Sequence, residues 1–260
     1  MTLLGGSAFV SGGGSGIGRA IAQALATQGA AVAVMDLLPE GGKDTVASIA
    51  AKGGRATFVP GDVGRWDDID RSVAAAVREL GPLGIMVNAA GVLDGYARAD
   101  EIGPALWERV IGINLTGTFY GCKRALTEML PAGRGRIVNI ASVAGLVGSG
   151  GGAAYTASKH GVVGLTRQLA ITYAGRGITV NAICPGYVLT PLVQKQIPDT
   201  ARARGITEDE VIKNVLLAAQ PTKQFVTVEQ VAALVVFLAS DAAASITGAI
   251  LPIEGGWTAH

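Results

Sequence analysis

Hydrophobic residues fall along this chain in short, mostly apolar runs, separated by longer stretches in which they recur every three or four positions. The runs at 7–10, 31–35, 56–59, 85–87, 136–140, 179–183 and 249–251 lack the polar alternation of a half-wetted sheet. Each therefore reads as a strand covered on both faces. Between them the spacing turns helical. After the first run, Ile17, Ile21, Ala24 and Leu25 share one helical face, and Gly29 is a suitable residue to end the helix. Strand–helix units of this length, repeated seven times, predict a parallel seven-stranded sheet with helices on both faces, because parallel neighbours need a crossover. No composition shift or internal repeat interrupts the pattern, so residues 1–260 read as a single domain. One stretch breaks the rhythm. Between the sixth and seventh strands, 191–224 is long and polar, where a small helical lid (about 190–224) can lie beside the carboxyl ends of the strands.

Composition narrows the function. With 49% hydrophobic and 16% charged residues, the chain can bury a sizeable core, and disorder is excluded. The net charge is +1, basic residues are scattered and aromatics make up 5%, which argues against a nucleic-acid surface. Residues 1–6 show no leader pattern, and the late apolar run at 232–239 is too short to span a bilayer. Cys122 and Cys184 have no metal-ligand spacing and read as reduced, buried thiols. A cytoplasmic protein with neither a membrane partner nor a metal is the expectation. His160 and the terminal His260 read as structural, and Asp67, Asp68 and Asp70 as helix-dipole partners rather than cation ligands.

Candidate chemistry begins at Ser11-Gly12-Gly13-Gly14-Ser15-Gly16-Ile17-Gly18, between the first strand and the first helix. Glycines there let the backbone approach a pyrophosphate, whose charge the helix N-terminus favours. Asp36 ends the second strand, eighteen residues past Gly18. A carboxylate there accepts hydrogen bonds from an adenosine ribose and repels a 2′-phosphate. With no cation at Leu37, Leu38, Gly13, Gly14 or Ser15, NAD is the expected cofactor. Farther along, Tyr155 and Lys159 stand four apart, on one face of a helix. A cation about 4 Å from a phenol is worth roughly 4 kcal/mol at intermediate dielectric, enough to bring its pKa from near 10 towards about 7. There the phenol is a useful general acid/base.

The Gly-x-x-x-Gly-x-Gly spacing, Asp62-Val63, Asn88-Ala89-Ala90-Gly91, Ser142, Tyr155-x-x-x-Lys159 and Pro185-Gly186 resemble, in order and over the whole chain, the short-chain dehydrogenase/reductase family. Ser11 stands for the usual Thr, and Ala89 for the second Asn of Asn-Asn-Ala-Gly. The resemblance implies a Rossmann-type doubly wound sheet and an alcohol dehydrogenase or carbonyl reductase. It also implies an Asn114–Ser142–Tyr155–Lys159 tetrad. Tyr155 exchanges the substrate proton, Ser142 orients the carbonyl, Lys159 tunes Tyr155 and holds the nicotinamide ribose, and Asn114 positions a relay water. Cofactor contacts are implied at Gly12, Ser15, Gly16, Ile17, Gly18, Asp36, Asp62, Val63, Asn88, Gly91, Tyr155, Lys159, Pro185, Gly186, Val188 and Thr190. The four-residue Tyr–Lys spacing is that of carbonyl enzymes rather than enoyl reductases. An NAD-binding sensor without chemistry would not need the intact tetrad.

The C-terminal third is similar to bacterial 3-hydroxybutyrate dehydrogenases, and Gln196 matches a position that binds substrate carboxylate in them. The pocket departs from that pattern. Ala144 replaces a His, Gly152 a Lys and Asp94 a Gln, and Leu146 and Val147 make the wall apolar. With Ser142, Tyr155 and Tyr187 completing the pocket, a neutral secondary alcohol or ketone, cyclic or aryl-substituted, is expected. A hydroxy acid such as 3-hydroxybutyrate is the alternative. Trp257 suits a core position, a subunit contact or a substrate wall. The helices over 107–130 and 155–173 resemble the family's subunit interfaces, which implies a homotetramer.

Overall fold

A computed structural model describes residues 2–149 and 151–259. Seven strands form one sheet: β1 (Ser7–Ser11), β2 (Val32–Asp36), β3 (Ala56–Pro60), β4 (Leu83–Asn88), β5 (Gly135–Ile140), β6 (Ile178–Pro185) and β7 (Ile250–Ile253). Their order is β3-β2-β1-β4-β5-β6-β7, and every neighbouring pair is parallel. The helices are α1 (Gly16–Thr27), α2 (Pro39–Ala50), α3 (Trp66–Leu80), α4 (Pro104–Ile111), α5 (Gly117–Ala132), α6 (Ala153–Tyr173), α7 (Pro191–Arg204), α8 (Glu208–Val211) and α9 (Val228–Leu238).

Side-chain alternation along each strand sorts the core into two layers. Ala8, Val10, Val32, Val34, Ile85 and Val87 pack with Ile21 and Leu25 of α1, Ile49 of α2 and Val231, Val235 and Leu238 of α9. The residues between them, Phe9, Ala33, Met35 and Met86, face the other way. They meet Ile69 and Val73 of α3, Cys122 and Met129 of α5 and Leu169 of α6. Both faces are dry, which explains why these strands read as continuous apolar runs rather than alternating ones. Gly29, with φ +89°, ends α1 as expected.

Two features position the site. From β1 the chain turns to β2 and β3 on one side, then crosses to β4 on the other, leaving a crevice at the carboxyl ends of β1 and β4. Between α4 and α5 the helix widens into a π-helical turn at Gly112–Thr116, a device common at functional sites, and Asn114 lies in it. The polar stretch after β6 is helical as expected. α7, α8 and a second π-turn at Ile212–Leu216 enclose a small core of Ile197, Ala201, Val211 and Leu216.

Candidate active site

The turn from β1 into α1 is built from backbone. Gly12 (φ +68°) and Gly16 (φ +48°) occupy the left-handed region. A Cβ at Gly12 would stand 2.7 Å from Ala90 Cα, and one at Gly18 would collide with the carbonyl oxygen of Gly12. Asp36, at the end of β2, accepts the N–H of Gly14 at 2.8 Å through Oδ2 and that of Leu38 at 3.0 Å through Oδ1. Arg19 and Thr45, which no motif singled out, brace the turn from behind. The Arg19 guanidinium donates to Gly14 O at 2.6 Å and to Thr45 Oγ1 at 3.0 Å, and Thr45 donates to Gly13 O at 2.9 Å.

The four tetrad positions converge from β5, the π-turn and α6. Lys159 is buried and donates to Ile140 O at 2.9 Å, with its Nζ 5.6 Å from the Tyr155 ring centre. Ser142 accepts the N–H of Ala144 at 3.1 Å through Oγ. Asn114 is fully buried. It accepts the Val92 N–H at 2.8 Å and donates to Val92 O at 3.0 Å and Ser158 Oγ at 3.1 Å. The electrostatics differ from the sequence expectation. Burial pushes the Tyr155 phenol up; a hydrogen bond from Ser142 opposes this, while Tyr187, Asp94 and Cys184 add to it. Burial pushes Lys159 down to about 8, against a smaller upward pull from Cys184. The ammonium stands off the ring and bonds to a carbonyl, so desolvation outweighs attraction here, and the phenol lies above its ordinary value rather than near 7.

A cavity of about 500 Å³ joins these groups. It runs from Asp36, Asp62 and Val63 past Gly91 to Ser142, Tyr155 and Lys159, and on to Pro185, Gly186, Val188 and Thr190. From β2 to β6 this crosses about 19 Å of sheet at the usual strand spacing. Asp94, Ala144, Gly152, Tyr187 and Val147 line it as well. Tyr96 and Trp257 line it too. The Tyr96 and Tyr187 hydroxyls are 3.1 Å apart, and the Tyr187 ring stacks on Trp257 at 6.0 Å between centroids. Trp257 is thus part of the cavity lining. Tyr96, in the left-handed region at φ +59°, carried no sequence signal.

Other expected groups stand elsewhere. The Asn88 side chain turns under the sheet, donating to Asn139 Oδ1 at 2.9 Å and Cys122 Sγ at 3.4 Å, and does not line the cavity. Gly121 presses against it so closely that a Cβ there would overlap Asn88 Oδ1. Gln196 does not line the cavity either, and its buried Oε1 has no partner among the described residues. Leu146 packs with Ala141 and Val162 beneath the wall. His160 bonds the Thr156 carbonyl at 3.0 Å on the outer surface, and His260 lies outside the described residues. Asp68 accepts the Asp62 N–H at 2.9 Å and Asp70 pairs with Arg124 at 2.7 Å, so each has a structural partner.

A family model described as "Enoyl-(Acyl carrier protein) reductase", one of the short-chain dehydrogenase/reductase models, matches residues 12–258. The chain belongs to the short-chain dehydrogenase/reductase family. Among curated members it is 44% identical to D-beta-hydroxybutyrate dehydrogenase of Rhizobium meliloti (strain 1021), covering 98% of this chain and 99% of that one. It is 37% identical to cyclohexanol dehydrogenase of Acinetobacter sp. (strain SE19), covering 96% and 94%. Its fold matches the crystal structure of a variant actinorhodin polyketide ketoreductase with NADPH at a TM-score of 0.93, with 37% identity and 98% of each chain covered. This short-chain dehydrogenase/reductase is therefore an oxidoreductase of the alcohol dehydrogenase and carbonyl reductase type, and a nicotinamide cofactor goes with the family. None of its described helices is long and apolar enough to cross a membrane.

Proposed function

We propose that this enzyme oxidises a neutral secondary alcohol, cyclic or aryl-substituted, with NAD, and reduces the matching ketone with NADH. One observation carries the substrate class. Among the described residues lining the cavity, Lys159 is the only cation, and the far wall is Tyr96, Tyr187, Trp257 and Val147. A carboxylate substrate would find no guanidinium or ammonium partner beyond Lys159. Rings suit a wall of stacked aromatics.

At Gly12 and Gly18 a Cβ would strike neighbouring backbone, so the turn stays bare where α1 begins, and the residues present fit a dinucleotide. Gly12, Ser15, Gly16, Ile17 and Gly18 would hold its pyrophosphate at the start of α1, Asp36 its adenosine ribose, and Asp62 and Val63 its adenine. Gly91, Tyr155, Lys159, Pro185, Gly186, Val188 and Thr190 would hold the nicotinamide end. Asp36 favours NAD, since Leu37 and Leu38 offer no charge and Arg19 is committed to the turn and to Thr45. The cofactor supplies the hydride acceptor for oxidation and the donor for reduction. Ser142 holds the substrate oxygen. Tyr155 takes the hydroxyl proton as the carbinol hydride leaves, and returns it in the reverse direction. Lys159 sets the local charge, and Asn114, through Val92, keeps the Gly91 turn beside it.

The 191–224 segment acts as a lid over a single domain, and the enzyme works as a cytoplasmic homotetramer. Exposed apolar side chains on α4, α5 and α6 (Trp107, Phe119 and Ile171, the last 85% exposed) support the assembly. The identity to D-beta-hydroxybutyrate dehydrogenase favours the second reading, a hydroxy-acid enzyme with its anion site rebuilt. The test is NADH absorbance on a panel pairing 3-hydroxybutyrate and acetoacetate with neutral cyclic, aryl and aliphatic alcohols and ketones. Turnover dominated by the neutral compounds supports the proposal; turnover dominated by the hydroxy acid pair overturns it.

A further inference from the structure

We propose that Asp94 is a positioning residue of the active site: from the segment after β4 it caps the first turn of α6 and fixes the main chain that carries Tyr155. The inference rests on the reading of Tyr155 as the acid/base. The first N–H groups of a helix have no partner inside it, and an N-cap side chain usually supplies one. At α6 the N-cap is Gly152, which has no side chain to offer. The partners come instead from far upstream in the chain. Asp94 Oδ2 accepts the Tyr155 N–H at 3.0 Å, and the Ala97 carbonyl accepts those of Gly152 at 3.0 Å and Ala153 at 3.5 Å. Asp94 Oδ1 accepts the Tyr96 N–H at 3.2 Å, so both oxygens of this buried carboxylate are engaged.

Gly152 belongs to the same device. It sits at φ +76°, and a Cβ there would lie 3.3 Å from Asp94 Oδ1. The bare backbone at 152 is what lets the carboxylate approach the helix end, where the dipole favours its charge. Asp94 and Gly152, two separate departures from the hydroxybutyrate pattern, thus become one coupled arrangement. It also gives Asp94 a second effect. The groups facing Tyr155 are Ser142 from β5, Lys159 on α6, Cys184 from β6, Tyr187 after β6, and Asp94 and Tyr96 from the loop. The Asp94 charge holds the phenol up, so removing it lowers the pH at which Tyr155 becomes a base.

Asp94→Asn in the full-length enzyme tests this. The amide keeps the shape but turns one acceptor into a donor, so one of the two N–H groups loses its partner. Amide hydrogen exchange at Tyr155 should accelerate by about tenfold or more while the β1 and β4 amides keep their protection. With the best alcohol, the kcat plateau should fall by about tenfold, the acid limb should move to lower pH, and the Kd for NADH should change by less than about twofold. Gly152→Ala, which leaves Asp94 in place, should reproduce the local exchange signature and guards against a misfolded first variant. Wild-type exchange at Tyr155 in both variants overturns the proposal, as does uniformly faster exchange with an unmoved acid limb. Exchange is read without substrate, so a wild-type enzyme that turns over no alcohol defeats the functional reading while leaving the capping role measurable.

Discussion

Replacing Asp36 with Asn should redirect the enzyme towards NADP. A unit charge pair at about 4 Å is worth about 1 kcal/mol at the dielectric of water and about 4 kcal/mol at an intermediate one. The end of β2 is open: Leu37 and Leu38 are 65% and 68% exposed, so the lower figure governs. A 2′-phosphate carries about two charges at neutral pH, so the Asp36 carboxylate disfavours it by about 2 kcal/mol, or roughly thirtyfold. Asp36→Asn removes that repulsion. It also weakens the grip on the NAD ribose, because a neutral acceptor makes a hydrogen bond weaker by about 1 kcal/mol, or roughly fivefold. One of the bonds to Gly14 and Leu38 is lost as well, which affects both cofactors alike. The ratio of kcat/KM with NAD to kcat/KM with NADP should therefore fall by about 150-fold, most of it as a gain with NADP. Steady-state rates with each cofactor at a fixed saturating alcohol measure it. A ratio that moves by less than about threefold, or a wild-type enzyme that uses both cofactors equally, would show that the Asp36 charge does not set the cofactor preference.

Two further predictions concern stability and the cradle. Lys159 titrates at about 8 when folded against 10.5 ordinarily, so between those values the unfolded chain binds more protons and stability rises with pH. The lysine's share should be about 1 kcal/mol between roughly pH 7.5 and 9. Cys184 and Cys122, pushed up to about 11 and about 12, pull the other way from about pH 9 upwards. Denaturant midpoints of wild type and Lys159→Met, subtracted at each pH, isolate the lysine; parallel profiles would contradict the burial account. Gly18→Ala drives a Cβ into the Gly12 carbonyl, so it should cost about 2 kcal/mol or more and abolish NADH binding. A melting scan and a fluorescence titration check both, and an alanine variant binding NADH as wild type would show that the turn yields easily.

Periodicity alone located all seven strands within a few residues, because the central strands are buried on both faces and leave short, mostly apolar runs. The glycine turn was legible for a similar reason: its chemistry is local, with Gly12, Gly16 and Gly18 in one short segment. What stayed hidden lies in contacts between distant segments. Asp94 meets the Tyr155 amide across sixty-one positions, and nothing near either residue announces the pairing. Asp94 showed only as a Gln replaced in the pocket pattern, whereas the structure spends both its oxygens on backbone. Asn88 had the right position but the wrong face, since its side chain points under the sheet to Asn139. Gln196 lies on α7, whose packing no strand pattern reports. The Tyr155–Lys159 spacing placed both side chains on one face, yet burial, which sets the direction of both their shifts, is a property of the assembled fold.

The most direct test of proton transfer by Tyr155 is Tyr155→Phe, which removes one hydroxyl and leaves the ring. Positioned acid–base catalysis contributes about 10²- to 10⁴-fold, so kcat should fall within or beyond that range while the NADH Kd, measured by fluorescence, stays within about twofold. Substantial turnover by the phenylalanine enzyme would contradict the account, because no other described group at the cavity was assigned that proton.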